Sequence, residues 1–298
     1  MVTSAQAAGR GSARSRVLLP RLVYLGPGLL YLGAFLLVPL GLIVFYAFMQ
    51  RGRFGGIVYE PTLRNFTRAL DPIFVNVLLD SLVIAGITTV LALLLGYPTA
   101  YVIASLPRRW RTVALIAVVL PFWTNFLIRT YAWIVLLNSE GPVNQTLTGL
   151  GVVDRPLTLL YTQPAVIAGL LYAYLPLMIL PLYSSIERLD PELREAASNL
   201  GASTVRVFRD VTLPLTLPGV ITGSIFVFVP SLGNFVIPEL LGGGKTVMVG
   251  NLIRDQYLKA RDWPFGSVLA LSVIAFMVGL FLIQAWVTRR VNEGSRSA

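Results

Sequence analysis

The chain has 298 residues, a net charge of +10, a mean hydropathy of +0.73 and only 13% charged residues, which excludes an ordinary soluble globular domain. Its Lys and Arg residues lie at the ends of long apolar runs rather than in one patch, which indicates membrane topology signals and not a nucleic-acid surface. The sequence contains no Cys and no His, so disulfides, thiolate or imidazole metal sites and histidine bases are excluded.

Six mostly apolar runs of about twenty residues or more follow in chain order, and each is long enough to cross a hydrocarbon layer of about 30 Å. We therefore predict an all-α membrane protein with six transmembrane helices. The runs cover residues 22–49, 77–104, 112–137, 164–186, 218–241 and 265–287. Residues 22–290 form the predicted transmembrane domain. It is flanked by a flexible basic cytoplasmic tail at 1–21 and a second cytoplasmic tail at 291–298.

The distribution of basic residues predicts the orientation. If the spans alternate across the membrane, the two termini lie on the same side as residues 106–111 and 187–216. These four segments carry fourteen Lys and Arg residues, whereas the three loops on the other side carry nine over a greater total length. Because basic loops remain in the cytoplasm, both termini are predicted to be cytoplasmic.

The cytoplasmic loop 187–216 has the pattern of two short helices around a glycine. Asp190 and Pro191 suit the N-cap and first position of the first helix, and Gly201 suits a left-handed residue after its end. Four apolar residues of this helix are spaced to form one stripe, namely Leu193, Ala196, Ala197 and Leu200. A helix this short is marginal in water, so we expect the stripe to dock onto another surface. Ser203 is predicted to cap the second helix and Pro214 to end it.

Seven residues of this loop match the spacing E-A-A-x3-G-x9-[IV]-x-L-P, namely Glu195, Ala196, Ala197, Gly201, Val211, Leu213 and Pro214. The segment resembles the cytoplasmic coupling loop of ABC importer permeases, with Val211 where that family often has Ile. The resemblance implies that the loop sits in a groove of a separate ATPase subunit and transmits the movement that ATP drives. Glu195 would be the polar contact, the two alanines and Leu200 the close-packed surface, and Gly201 the turn. A helical hairpin packed on its own protein is the alternative.

Further segments are similar to the spermidine/putrescine permease branch, and the similarity covers essentially residues 22–290. They comprise residues 120–131, 180–187 and 261–266. The resemblance implies a type I importer permease fold in a bacterial inner membrane. It also implies a heterodimer with a second permease subunit, two ATPase subunits and an external substrate-binding protein.

The run Gly242–Thr246 is similar to the end of a phosphate-binding loop, but that motif requires a glycine where Glu239 stands. We therefore predict a turn at this position and no nucleotide site. ATP-Mg is expected in the partner ATPase, and no cofactor is expected on this chain. The chain is predicted to be a transport subunit rather than an enzyme.

A polyamine would be bound by carboxylates and by aromatic faces, each face contributing about 0.5–2 kcal/mol through cation–π contact. Asp80 and Glu239 are predicted at the outer ends of the second and fifth spans, where they would line an entrance. Trp123, Tyr131 and Tyr174 are the candidate aromatic residues of the pathway. Helix packing or the interfacial aromatic belt is the alternative for these aromatic residues, and simple solvent exposure is the alternative for the acids.

Arg129 is a cation in the third span, where an unpaired charge costs several kcal/mol. We hypothesise that it pairs with Asp80, with Glu239 or with the partner permease. If it faces the pathway unpaired, an anionic solute fits better than a cationic one.

Two alternative functions remain open from the sequence. A secondary transporter driven by an ion gradient would need carboxylates in mid-span, and the predicted spans have none there. The other alternative is the same importer class with a different solute, such as thiamine, an opine or an iron chelate.

Overall fold

The computed structural model describes the backbone of residues 9–294 and the side-chain surroundings of residues 26–285. Within this range the chain is helical apart from its connections and one antiparallel hairpin. The hairpin pairs β1 (Gln50–Arg51) with β2 (Ile57–Val58). The fold is therefore all-α in class, as predicted.

Thirteen α-helices follow along the described part of the chain. They are α1 (Gly9–Ala47), α2 (Arg64–Ala69), α3 (Pro72–Ser105), α4 (Arg108–Val119), α5 (Phe126–Leu137), α6 (Pro142–Gly149), α7 (Gln163–Glu187), α8 (Pro191–Asn199), α9 (Thr204–Val207), α10 (Leu213–Gly233), α11 (Val236–Gly242), α12 (Val249–Leu258) and α13 (Trp263–Gly294). A 3₁₀ turn, Leu120–Trp123, follows α4, and a π turn, Phe208–Thr212, joins α9 to α10.

Five segments among the described residues are long and apolar enough to cross a membrane: 26–47, 72–105, 163–187, 204–233 and 263–285. A bent pair of helical segments, Arg108–Trp123 and Phe126–Gly149, makes a sixth if it is counted as one span. Helix continues into both predicted tails, since α1 begins at Gly9 and α13 ends at Gly294. The rest of those tails, residues 1–8 and 295–298, lies outside the described residues.

Two of the predicted spans are not continuous helices. The third, predicted over 112–137, bends by 91° between Trp123 and Phe126. Asn125 terminates the first part and caps the second, because its side chain accepts hydrogen bonds from the Leu127 and Ile128 amides at 2.9 and 3.2 Å. The fifth, predicted over 218–241, breaks after Gly233 in the same way, with the Asn234 side chain accepting from the Ile237 amide at 2.9 Å.

The prediction that a helix ends near Pro214 is wrong. The chain passes from α9 through the π turn into α10, and Pro214 occupies the first turn of α10. Proline is tolerated there because its missing N–H falls where the hydrogen-bond ladder is already interrupted. Ser203 holds the N-cap position of α9, but its side chain makes no capping hydrogen bond.

The core lies where α3, α7 and α10 pack together. Its buried residues include Ala92, Tyr97, Met178, Leu182 and Val227. At the end of this bundle next to the loop 187–216, a Cβ on Gly219 of α10 would lie 2.9 Å from the Pro181 carbonyl oxygen and 2.6 Å from the Ser185 Cβ, both on α7. The two helices that flank the loop 187–216 can therefore approach this closely only with glycine at that position.

Candidate functional site

Helix α8 has the ends that the sequence predicts. The Asp190 carboxylate accepts a hydrogen bond from the Glu192 amide at 3.0 Å, and Pro191 is the first helical residue. At the other end Gly201 has a φ of +84°. The Gly201 amide donates to the Ser198 carbonyl at 2.9 Å and the Ala202 amide to the Ala197 carbonyl at 3.1 Å, which is a Schellman motif.

The apolar stripe of α8 is open to the surroundings. Leu193 is 48% exposed and Leu200 is 89% exposed, and no residue of the helix is buried. The helix is anchored from its other side, where the Arg194 guanidinium donates to the Tyr101 hydroxyl of α3 at 3.2 Å. Ala196 of the stripe and the neighbouring Glu195 are also exposed, whereas Ala197, the fourth residue of the stripe, is half-buried. This leaves a short rigid helix with an uncovered apolar face.

Leu213 and Pro214 do not belong to this exposed surface. Leu213 packs against the core of α3, α7 and α10, and Pro214 lies in the first turn of α10. The structure thus divides the seven-residue pattern into two parts. One part forms the helix α8 and the turn that follows it, and the other forms the beginning of the next span.

A cavity of about 600 Å³ lies where the two broken spans meet α7. Its walls come from the bend after α4, from the start of α5, from mid-α7 and from the break after α10. The lining includes Phe122, Phe126, Arg129, Tyr174, Asn234 and Phe235. Broken helices persist at membrane depth where they line a cavity, so this is the candidate translocation site.

Arg129 is the charged residue of this cavity lining. Its guanidinium donates to the Pro121 carbonyl oxygen at 2.9 Å, and the same oxygen accepts from the Thr124 hydroxyl at 2.7 Å. Three aromatic rings surround it at 5.6–5.8 Å from Cζ to ring centroid, namely Phe122, Phe126 and Tyr172. The predicted pairing with Asp80 or Glu239 is wrong, because within residues 26–285 Arg129 forms no ion pair. A backbone carbonyl and aromatic faces stabilise the cation instead.

Of the five predicted pathway residues, the structure places only Tyr174 in the lining of this cavity. Trp123 and Tyr131 are 80% and 55% exposed and lie outside the lining, and Asp80 is exposed on α3. Glu239 is also exposed and accepts a hydrogen bond from Arg254 at 2.9 Å.

Glu239 therefore belongs to a separate charged cluster on α11 and α12. Arg254 also donates to Asp255 at 2.7 Å, and Lys259 donates to Asp255 at 2.9 Å. Desolvation acts to raise the pKa of Asp255, but the hydrogen bonds from Lys259 and Arg254 outweigh it and hold that pKa below its ordinary value. Asp255 is consequently ionised, and the carboxylates of Asp255 and Glu239 are paired with Arg254 and Lys259.

Asn234 is a site residue that the sequence reasoning missed. It is 9% exposed, its side-chain amide donates to the Tyr174 hydroxyl at 2.7 Å, and its side-chain oxygen caps α11. The same side chain thus fixes both the break in the fifth span and the orientation of Tyr174. An amide after Gly233 inside an apolar run was the available signal.

Residues 92–293 match the family model described as "Binding-protein-dependent transport system inner membrane component". The chain belongs to this family. It is a multi-pass inner-membrane protein and the membrane permease subunit of an ABC importer. Membership of such permease families implies ATPase and binding-protein partners.

Individual relatives agree with this assignment. The permease is 42% identical over 261 residues to the spermidine/putrescine transport system permease protein PotB of Escherichia coli (strain K12), covering 88% of this chain and 94% of that protein. It is 30% identical over 273 residues to the putative 2-aminoethylphosphonate transport system permease protein PhnU of Salmonella typhimurium (strain LT2), covering 90% and 92%.

A solved structure supports the fold. A chain of a bacterial alginate ABC transporter, crystallised with an alginate-bound periplasmic protein, superposes with a TM-score of 0.75 over 95% of this permease and 97% of that chain, at 18% identity. The architecture is therefore the type I importer permease fold that the family resemblance implied.

Replacing Asn234 in the permease by Ala is expected to lower thermal stability measurably. The change removes the cap of α11, which is worth about 1 kcal/mol, and leaves the half-buried Tyr174 hydroxyl without its partner. Thermal unfolding of the purified permease would measure the effect, with Asn76→Ala as the control because Asn76 is exposed on α3. Equal melting temperatures for the two variants would contradict the role given to Asn234.

Proposed function

We propose that this permease forms the translocation pathway for a polyamine, spermidine or putrescine, or for a related cationic solute. The observation that carries the proposal is the 42% identity with a spermidine/putrescine permease over 88% of the chain. The aromatic lining of the cavity is compatible with an alkylammonium cargo, because ring faces attract cations. Tyr174 and the phenylalanines of that lining are the proposed contacts.

We infer that α8 docks onto an ATPase subunit with its exposed stripe. In this proposal Leu193, Ala196 and Leu200 fill an apolar groove, and Glu195 makes a polar contact at its edge. Both termini are then cytoplasmic, as the basic residues predict. ATP-Mg belongs to the ATPase, and the permease holds no cofactor of its own.

The proposed mechanism is alternating access. Closure of two ATPase subunits displaces α8, and α7 and α10 carry that movement to the cavity because they flank α8 in the chain and pack on each other. A second permease subunit completes the pathway as a heterodimer, and an external binding protein delivers the solute. Domain limits follow the spans, with residues 22–290 as the transmembrane domain and 187–216 as its coupling loop.

Uptake of radiolabelled spermidine and putrescine tests the solute directly. Cells that lack other polyamine importers should show saturable, energy-dependent uptake with the intact system and none without this permease. Alanine substitution of Leu193 and Leu200 together should abolish uptake while leaving the permease in the membrane. Undiminished uptake in cells without the permease would refute the proposal.

A solute that carries an acidic group is the second candidate, and Arg129 favours it. The guanidinium lies in the cavity lining without an acidic partner among residues 26–285. One relative at 30% identity is named as a putative 2-aminoethylphosphonate permease. A fixed cation would attract such a solute and repel a polyamine.

Arg129→Gln is expected to separate the two candidates. Two unit charges about 4 Å apart interact by about 1 kcal/mol even in water, which is about fivefold in binding. If the solute is cationic, Gln should lower the KM for uptake about fivefold, because it removes a repulsive charge. If the solute is anionic, Gln should raise the KM by a similar or larger factor, while Arg129→Lys keeps it near normal. Recovery of the assembled complex is measured alongside, because Arg129 also supports the bend at Pro121.

A further inference from the structure

A second cavity, of about 440 Å³, lies between the β1–β2 hairpin and α2, away from the candidate translocation site. We call it the arginine pocket. It is lined by Gln50, Arg51, Thr62, Arg64, Asn65 and Arg68. These side chains are all polar, and three of them carry guanidinium groups.

Two of the three guanidinium groups are held in place by other parts of the chain. Arg68 donates to the Asp262 carboxylate at 2.7 Å, and its Cζ stands 4.0 Å from the Phe265 ring centroid. Arg51 donates to the Ala260 carbonyl at 2.8 Å and lies 4.0 Å from Asp262. Asp262 itself is fully buried. These contacts fix the arginines before any ligand arrives.

The wall of the pocket is fixed as well. Asn65 is 8% exposed, and its side-chain amide donates to the carbonyl oxygens of Ala47 and Met49 at 3.3 and 2.8 Å. These bonds tie α2 to the end of α1. These hydrogen bonds therefore hold the wall of the pocket in a defined position within the fold.

The charge of the pocket is not balanced by the residues in the range 26–285. Asp262 is the carboxylate that pairs with these arginines, and it serves both Arg51 and Arg68. Arg64 is exposed and forms no ion pair with any residue in the range 26–285. Three guanidinium groups against one carboxylate leave an excess of two positive charges. Planar guanidinium groups bind phosphate oxygens in pairs of parallel hydrogen bonds.

The position of the pocket indicates the source of the phosphate. Arg51 lies four residues after the end of the first span, and Arg68 lies four residues before the start of the second. Large apolar side chains close to its lining residues in the sequence are exposed and form what we call the apolar collar, namely Phe48, Leu63, Leu70 and Ile73 at 40%, 66%, 75% and 69%. A basic pocket at the ends of two spans and beside an apolar collar is at the depth of lipid headgroups.

We propose that the arginine pocket binds the phosphate of an anionic phospholipid headgroup. The lipid phosphate bridges Arg64 to the Arg51–Arg68 pair, and its acyl chains lie along the apolar collar. The bound lipid thereby reinforces the link that the Arg68–Asp262 ion pair makes between α2 and α13, because Asp262 immediately precedes α13 and accepts from the Phe265 amide at 3.2 Å. This site depends neither on the solute nor on which side of the membrane the termini lie.

Native mass spectrometry of the full-length permease, purified with the subunits it assembles with, tests the proposal. The protein is loaded with phosphatidylglycerol or phosphatidylcholine, and the lipid retained is counted. Phosphatidylglycerol should be retained preferentially, and Arg64→Gln should lower its retention about tenfold, as expected for loss of a charge-assisted hydrogen bond. Arg51→Gln should act in the same direction. Arg53→Gln is the matched control, because Arg53 is exposed on the same hairpin but does not line the pocket.

Thermal unfolding in phosphatidylcholine nanodiscs provides the second measurement, with added inorganic phosphate as one arm and added phosphatidylglycerol as the other. Stabilisation by phosphatidylglycerol alone, lost in Arg64→Gln, supports the lipid site. Equal stabilisation by inorganic phosphate would replace the lipid with a free anion. Equal lipid retention in all three variants would overturn the proposal. So would an effect of Arg64→Gln confined to association with the cognate binding protein, which would make the pocket a protein contact.

Discussion

Gly201→Asp is expected to leave the permease in the membrane at normal abundance and to lower solute uptake roughly 10- to 100-fold. At a φ of +84°, a residue with a Cβ costs about 1–2 kcal/mol, and a carboxylate at a helix C-terminus costs about 0.3–1 kcal/mol more. A Cβ at this position would meet no atom within 4 Å, so the spans themselves are not disturbed. We expect uptake to fall because the substitution distorts the end of α8 and the surface proposed to contact the ATPase.

Gly151→Asp is the matched control for this experiment. Gly151 follows α6 with a φ of +67°, and a Cβ there also meets no atom within 4 Å. Its amide donates to the Thr148 carbonyl at 3.1 Å and the Val152 amide to Leu147 at 3.0 Å, the same motif as at Gly201. ATP hydrolysis and uptake are measured together in the assembled transporter. Normal uptake in Gly201→Asp, or an equal loss in Gly151→Asp, would remove α8 from the coupling mechanism.

Gly219→Leu is expected to reduce the amount of folded permease to less than about one tenth of normal. A Cβ on Gly219 already meets the Pro181 carbonyl oxygen at 2.9 Å, and three further carbons have no space between α7 and α10. Overpacking typically costs about 1–3 kcal/mol and more where backbone must move, against a total stability of about 5–15 kcal/mol. Membrane abundance and thermal unfolding in detergent would measure the loss.

Gly86→Leu is the control for the packing effect. Gly86 lies in α3, also inside a span, and a Cβ there meets nothing within 4 Å. Both changes replace a helical glycine with the same better helix former. If Gly219→Leu and Gly86→Leu accumulate equally, the close approach of α7 and α10 is not required for the fold.

The ends of α8 are predictable from the sequence because each depends on a local rule. Asp190, Pro191 and Gly201 act on backbone groups within a few residues of themselves. Hydropathy likewise identifies the spans, since burial in a membrane requires only a long apolar run. The helix ends and the spans can therefore be predicted without knowing which other elements they contact in the fold.

The breaks in the third and fifth spans are harder to predict. Asn125 and Asn234 each act as helix caps, but an apolar run with one amide is equally compatible with an unbroken helix. Their role depends on a neighbouring helix that makes the broken geometry favourable, as Tyr174 does for Asn234. Of the predicted pathway residues only Tyr174 therefore lines the cavity, and Asn234 at the break beside it was not predicted.

Arg129 illustrates a different limit. A charge inside a span predicts a partner, and carboxylates are the obvious candidates in a sequence. The partner in the structure is the carbonyl oxygen of Pro121 at the bend of the chain, which also accepts from the Thr124 hydroxyl at 2.7 Å. A backbone acceptor that the tertiary structure brings to Arg129 cannot be predicted from the order of side chains in the sequence.

The π turn at Phe208–Thr212 has a consequence for how α8 is oriented relative to the membrane span that follows it. An α-helix advances about 100° around its axis with each residue, so one additional residue in a turn changes the azimuth of everything that follows. The turn therefore sets the angular phase between α8 and the cavity-lining side of α10. The number of residues in this segment therefore determines the rotation of α10 about its axis relative to α8, and not only the distance between the two helices.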